Sequence, residues 1–181
     1  MKKTVVFLKG RPEWAERPQP LNSGYNSIYW RPTLTRICPP TLGLYPALIW
    51  WLLHLLRIFR NREYGVLLIR HGEKWVHRSV VTPGYFRFPF MKSHDLQVGD
   101  VWTAECERNK GLASWSLSEI LSADTNRKRC YWYLTEESNG ASIRVAERAG
   151  FRPAAEGIRT SRFGIQLFGT FQIQREFDDR R

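Results

Sequence analysis

Hydrophobic positions along the chain change period several times, and each change marks an element. The runs "YGVLLIR" (residues 64–70) and "KWVHRSVV" (residues 74–81) flank "HGE", the pattern of a β-hairpin with glycine in the turn. After a loop, "TPGYFRFPF", the stretch "HDLQVGDVWTA" alternates, with Leu96, Val98 and Val101 on buried positions. Gly99 inside that strand predicts a bulge or a close backbone approach. From Gly111 the period becomes helical: Ala113, Leu117 and Leu121 recur at four-residue steps, with Ile120 beside them. "CYWYLTE" reads as a strand. "SNGASIRVAERAGF" reads as a short helix with Asn139 as its N-cap, Gly150 in left-handed conformation at its end and Phe151 folding back. Two β-rich runs, residues 153–161 and 165–174, precede a frayed tail, "REFDDRR".

The first third is less regular. Residues 9–42 are rich in proline and aromatics and read as an irregular wrap. The most hydrophobic run, "GLYPALIWWLLHLLRIF" (residues 43–59), is shorter than the ~20 apolar residues of a membrane span and contains Pro46, His54 and Arg57. It predicts a core helix starting near Pro46, with an aromatic face for a dimer partner or a membrane surface as the sharper reading. The opening "MKKTVVFLKG" carries too short an apolar run for a signal-peptide core.

The length of 181 residues suits one domain with a sizeable core, and 43% hydrophobic residues mark it as globular. Lys+Arg exceed Asp+Glu by 28 to 17, giving a net charge of +11, which favours an anionic partner. The basic residues are scattered and no nucleic-acid-binding motif occurs, so nucleic acid is not expected. Cys38, Cys106 and Cys130 are far apart, with no Cys-x-x-Cys and no histidines clustered near them. Neither a metal site nor a disulfide framework is expected, and a reducing compartment fits.

Candidate chemistry centres on "ECERNKGLAS" (residues 105–114). A strand handing over to a helix through a basic, glycine-bearing turn builds an anion site, because the first helical amides have no intrahelical acceptor and carry the positive end of the dipole. Gly111 lets the backbone approach a ligand, and Arg108 and Lys110 add charge.

Arg108-Asn109-Lys110-Gly111-Leu112-Ala113 resembles the Arg/Gln-x-x-Gly-x-Gly/Ala pattern of the GNAT superfamily of acyl-CoA N-acyltransferases, and it lies between a strand and a helix as in that family. "SNGASIRVAERAGF" is similar to the family's Asn-x-x-Ala/Ser…Gly-Phe helix. The resemblance covers residues 64 to 173; residues 1–60 match poorly. It implies a single α+β domain, in which residues 1–60 form the wrap and hydrophobic helix on a GNAT-like core of residues 61–181. The core would be a mixed, mostly antiparallel sheet with two splayed parallel central strands, flanked by helices. It further implies that the backbone of Val101, Trp102 and Thr103 binds the pantetheine arm of acetyl-CoA. Arg108 and the amides of Asn109, Lys110, Gly111, Leu112, Ala113 and Ser114 would hold the pyrophosphate, with Asn139 near the arm. The reaction implied is direct attack of a primary amine on the thioester, without metal.

Where relatives carry a tyrosine as general acid this chain has Ala146; Ser142 is the substitute. Asp95 and His77 are the candidate bases, with His94 beside Asp95. Glu105 and Glu107 lie too close to a polyanion to serve. The stretch around the strand and "FRFPF" is similar to GNAT-like proteins of bacterial surface-polysaccharide biosynthesis. The acceptor implied is an amino sugar, nucleotide- or lipid-linked. A protein N-terminal acetyltransferase and a non-catalytic acyl-CoA-binding module stand as alternatives. A cytoplasmic setting is expected, with peripheral contact at the inner membrane and a homodimer left open.

Overall fold

In a computed structural model the described residues are 3–160 and 169–177. Among them, eight strands form one sheet and three α-helices flank it. The strands are β1 (Thr4–Gly10), β2 (Tyr25–Trp30), β3 (Gly65–His71), β4 (Lys74–Pro83), β5 (Leu96–Thr103), β6 (Tyr131–Glu136), β7 (Arg152–Arg159) and β8 (Phe171–Glu176). The helices are α1 (Leu44–Leu55), α2 (Leu112–Ser122) and α3 (Gly140–Arg148). Strand order is β2-β3-β4-β5-β6-β1-β7-β8, and every pairing is antiparallel except β5 with β6. The expected mixed, mostly antiparallel sheet with a central parallel pair is therefore what forms.

The β3–β4 hairpin, α2 and α3 lie where the hydrophobic pattern puts them. The bulge expected at Gly99 is present: from Arg78↔Trp102 to Val80↔Gly99, β4 advances two residues while β5 advances three, and Asp100 takes a left-handed φ of 44°. Both ends of α3 are built as its residues predict. The Asn139 side chain accepts from the Ser142 amide at 3.1 Å, Gly150 has φ 91°, and Phe151 is buried.

The N-terminal third departs from the sequence reading. Thr4–Gly10, assigned with residues 1–60 to the wrap, is a strand inside the sheet, paired over its length with β6 and β7. Residues 25–30, read as part of the wrap, form the edge strand β2 on β3. The apolar, β-branched "TVVFL" was a strand signal. The later β-rich runs form β7 and β8; the part of them in residues 161–168 lies outside the described residues, as do residues 178–181 of the tail.

Two hydrophobic clusters sandwich the sheet. On one face α2 and α3 place Leu112, Leu117, Ile120, Leu121, Ala146 and Ala149 against Val6, Leu8, Leu96, Val98, Tyr131 and Tyr133. On the other, α1 lays Trp50 and Leu53 on Trp30, Tyr64, Val66 and Val80, beside the aromatic loop carrying Tyr85 and Phe88.

The β7–β8 pairing is close at Gly157, where a Cβ would collide with the Gln172 backbone carbonyl. Gly157→Ala is expected to destabilise the fold by about 1–3 kcal/mol through overpacking, measured by urea unfolding. An unchanged midpoint would show that β8 shifts to accommodate the methyl.

Candidate functional site

The parallel pair that defines the site is short. Strands β5 and β6 register only over Leu96↔Tyr131, Gln97↔Trp132 and Val98↔Tyr133. Beyond Val98 they part. From there β5 stays with β4, through Arg78↔Trp102 and His77↔Thr103, while β6 stays with β1 as far as Val5↔Glu136. A gap thus opens in the middle of the sheet, edged by backbone of Gly99–Thr103 on one side and the end of β6 on the other. Val101, Trp102 and Thr103, the residues expected to bind the pantetheine arm, lie along it.

Helix α2 starts at the open end of that gap. Gly111, its N-cap, has φ 78°, and a Cβ there would meet nothing within 4 Å. Asn109 also takes a left-handed φ, 64°, which asparagine tolerates better than other non-glycine residues. The amides of Leu112, Ala113 and Ser114 open the helix with no intrahelical acceptor. The loop therefore presents backbone donors and an uncluttered approach, the form of an anion site.

Its side-chain charges are arranged otherwise than the sequence suggests. Lys110 Nζ lies 2.8 Å from Glu107 Oε2, so its charge is balanced within the protein. The Glu107 side chain is buried at 8% exposure and also accepts from the Tyr25 hydroxyl at 2.6 Å, with His71 Nδ1 at 2.9 Å. These partners, Lys110 foremost, hold the Glu107 carboxyl down at about 2. This cluster ties the loop to β2 and to the β3–β4 hairpin. Arg108 is more exposed; its Nε lies 3.4 Å from the Thr103 carbonyl and Nη1 3.8 Å from Glu105.

Neither candidate base stands in the gap. His77 is fully buried beneath α2: Nδ1 lies 2.8 Å from Thr103 Oγ1, and Nε2 lies 2.8 Å from Ser116 Oγ and 3.0 Å from Ser79 Oγ. Burial, reinforced by the Arg78 charge, lowers its pKa to about 4. It is a neutral cross-link between β4, β5 and α2, not a base open to substrate. Asp95 is 2% exposed at the closed end of the β5–β6 pair. It accepts from the Lys92 amide at 2.9 Å, the Trp132 indole at 3.1 Å and the Cys130 amide at 3.3 Å, with the half-exposed His94 ring 3.6 Å away. Its lone pairs hold the strand entry together.

Asn139 spends its side-chain oxygen on capping α3. Ser142, in the first turn of α3, is half-buried, and its hydroxyl faces the buried phenol of Tyr133 closely enough to lower that group's pKa. Nothing in the local sequence singles out Tyr133. It occupies the last registered position of β6, where the strands part, and projects on the α2–α3 face. Burial raises its pKa and the Ser142 hydroxyl pulls it back. The position of Ala146 is fully buried against the sheet, so a tyrosine there would overpack.

A cavity of about 500 Å³ lies at the other end of α2, lined by Tyr29, Glu119, Asp124, Arg129 and Tyr131 among others. The 11-residue helix puts roughly 16 Å between it and the Gly111 loop.

No protein-family model matches the sequence, and no curated protein matches it. Solved structures do, and the fold they share with this chain is that of the GNAT acetyltransferases. A tandem GNAT protein from the clavulanic acid biosynthesis pathway matches with a TM-score of 0.58 at 12% identity, over 84% of this chain and 50% of that one. A GNAT-family acetyltransferase from Colwellia psychrerythraea gives 0.55 at 11% identity, over 86% and 54%. A glucosamine N-acetyltransferase region in a fungal multi-domain GH3 β-N-acetylglucosaminidase gives 0.54 at 12%, over 84% and 20%. The chain spans less than two thirds of the length of each of these structures, and the likeness is one of architecture.

The His77 cluster has a pH signature. Its pKa falls from 6.5 unfolded to about 4 folded, so between these values the unfolded chain binds the extra proton, and stability rises with pH across that window. Each unit of depression is worth about 1.4 kcal/mol. Wild-type stability is expected to fall more steeply from pH 6.5 to 4 than that of His77→Gln, measured by denaturant unfolding at a series of pH values. Parallel curves would mean that His77 is accessible to protons in the folded state.

Proposed function

We propose that this chain transfers an acetyl group from acetyl-CoA to a primary amine, by direct attack within a ternary complex. The observation that carries the reading is the gap between β5 and β6, with α2 and its glycine-opened amides at the mouth. Backbone groups of Val101–Thr103 have the free edge that a pantetheine arm would pair with. The amides of Leu112, Ala113 and Ser114, with the Arg108 guanidinium, suit a pyrophosphate.

A bound acetyl-CoA would supply a thioester carbonyl, at which the amine forms a C–N bond as the C–S bond breaks and the sulfur leaves as thiolate. The protein's part is to align the amine with that carbonyl and to meet the charge on sulfur. Tyr133 lies where the strands part, and the Ser142 hydroxyl on the first turn of α3 acts on its phenol. The Tyr133 phenol is protonated at neutral pH, as an ordinary tyrosine is, so it can donate toward sulfur, with Ser142 beside it. A thiol pKa of about 8.5 makes a hydrogen bond, rather than full proton transfer, sufficient. The amine's proton leaves to solvent.

For the acceptor we propose an amino sugar, carried on a nucleotide or lipid. The stretch around β5 supports this through its resemblance to GNAT-like proteins of surface-polysaccharide biosynthesis, and a structure of the same fold is described as a glucosamine N-acetyltransferase region. The net charge of +11 accords with an anionic carrier. The reading of a non-catalytic acyl-CoA-binding module draws on one observation: His77 and Asp95 are both committed to structure.

Gly111→Asn tests the pyrophosphate site, because asparagine tolerates left-handed φ yet adds a side chain where the backbone must approach. The variant is expected to unfold at the wild-type midpoint but to bind CoA roughly tenfold or more weakly, measured by isothermal calorimetry. Equal affinity would remove the loop from the binding site.

Ser142→Ala and Tyr133→Phe are each expected to lower kcat by roughly ten- to a hundredfold, with little change in KM for acetyl-CoA. Thiol release with glucosamine and other amines is the measurement. Wild-type turnover in both variants would make the pair structural; CoA binding without turnover in the wild-type protein would support the binding module.

A further inference from the structure

Helix α1, "LYPALIWWLLHL", is apolar around its whole circumference, and the protein covers only part of it. Its inner side is well used. Ala47 is buried, and Trp50 lies among Phe59, Tyr64 and Tyr85 with ring centroids 6.0–6.3 Å apart. The opposite side repeats Leu44, Leu48, Leu52 and Leu55 at helical spacing, all exposed, with Tyr45 and Leu56 at 75% and 64% exposure. A neighbouring turn extends the patch. Trp51 Nε1 donates to the Thr33 carbonyl at 3.1 Å, which holds Leu34, 76% exposed, beside the helix. A helix this apolar on its outward side has an unmet partner.

Charge decides what kind. Residues 17–62 contain six arginines and no lysine, aspartate or glutamate. Arg36 sits in the turn beside Leu34, Arg57 follows the helix directly with a left-handed φ of 56°, and Arg62 is exposed just beyond. A second copy of this chain seated on the patch would bring two arginine rims together, on molecules that each carry +11. An anionic surface removes that repulsion and turns the rim into an attraction. Twelve residues make a helix about 18 Å long, well short of a bilayer core of about 30 Å. Such a helix lies in the interface with its leucines among the acyl chains and its arginines at the headgroups.

We propose that the outer face of α1, with Leu34, docks this protein on the surface of an anionic lipid bilayer. The helices α2 and α3 occupy the other side of the sheet. The inference does not depend on acyl transfer.

The test is co-sedimentation of the full chain with phosphatidylcholine vesicles with and without phosphatidylglycerol. Binding is expected to phosphatidylglycerol-containing vesicles, to weaken as salt is raised, and to fall about tenfold or more in Leu48→Asp/Leu52→Asp. Arg36→Gln/Arg57→Gln is expected to lose affinity for the anionic vesicles only. Because all four side chains are exposed, near-ultraviolet circular dichroism should match wild type. Equal sedimentation of wild type and the double-leucine variant would overturn the proposal. So would a wild-type dimer in analytical ultracentrifugation that the leucine variant dissociates without any vesicle binding, since the patch would then be a self-association face.

Discussion

Backbone amides and carbonyls inside a sheet need partners, and past Val98 those of β5 and β6 do not find them in each other. The rest of the site follows from that constraint. The two strands are pulled apart by stronger allegiances. The bulge at Gly99–Asp100 re-aims β5 while it remains registered with β4, and β6 is held by β1 over six consecutive pairs. At the closed end Asp95 gathers the Lys92 amide, the Cys130 amide and the Trp132 indole, so the pair cannot unzip further. A fixed fork with unspent backbone groups is a place where an extended polar arm can complete the sheet.

Rigidity at the mouth of the fork comes from two polar clusters, each centred on a buried side chain. His77 joins Thr103 at the end of β5 to Ser116 on α2, which sets the helix relative to the strand it follows. Glu107 joins Lys110 to Tyr25 and His71, which sets the loop between them. Both clusters consume groups that would otherwise look like chemistry: an imidazole, a carboxylate and an ammonium. The positive potential left at the loop is that of the helix amides and Arg108. The hydroxyls left at the fork are those of Tyr133 and Ser142.

The two faces of the sheet are covered unequally. On the α2–α3 side the helices bury their apolar stripes and end in polar loops. On the other side α1 buries Ala47 and packs Trp50 and Leu53 against the sheet but leaves a leucine stripe outward, with Arg36, Arg57 and Arg62 around it. The same sheet thus carries a backbone-lined gap in its middle and an apolar, cationic patch on one face.

Local physics was legible in the residues themselves. The β3–β4 hairpin, the bulge at Gly99, the period of α2 and both caps of α3 depend on neighbours within a few positions, and composition and spacing report these directly. The glycine-opened start of α2 belongs to the same class. The place of Thr4–Gly10 between β6 and β7 does not, because it is a pairing across more than a hundred residues that no local pattern encodes. Nor do the roles of His77 and Asp95. A polar side chain becomes a base or a cross-link according to burial and to the donors that meet it, and those come from α2, from the Lys92 loop and from the start of β6. Tyr133 is the converse case. Within "CYWYLTE" it is one aromatic in a strand, and only the parting of β5 from β6 after Val98 puts it at the fork.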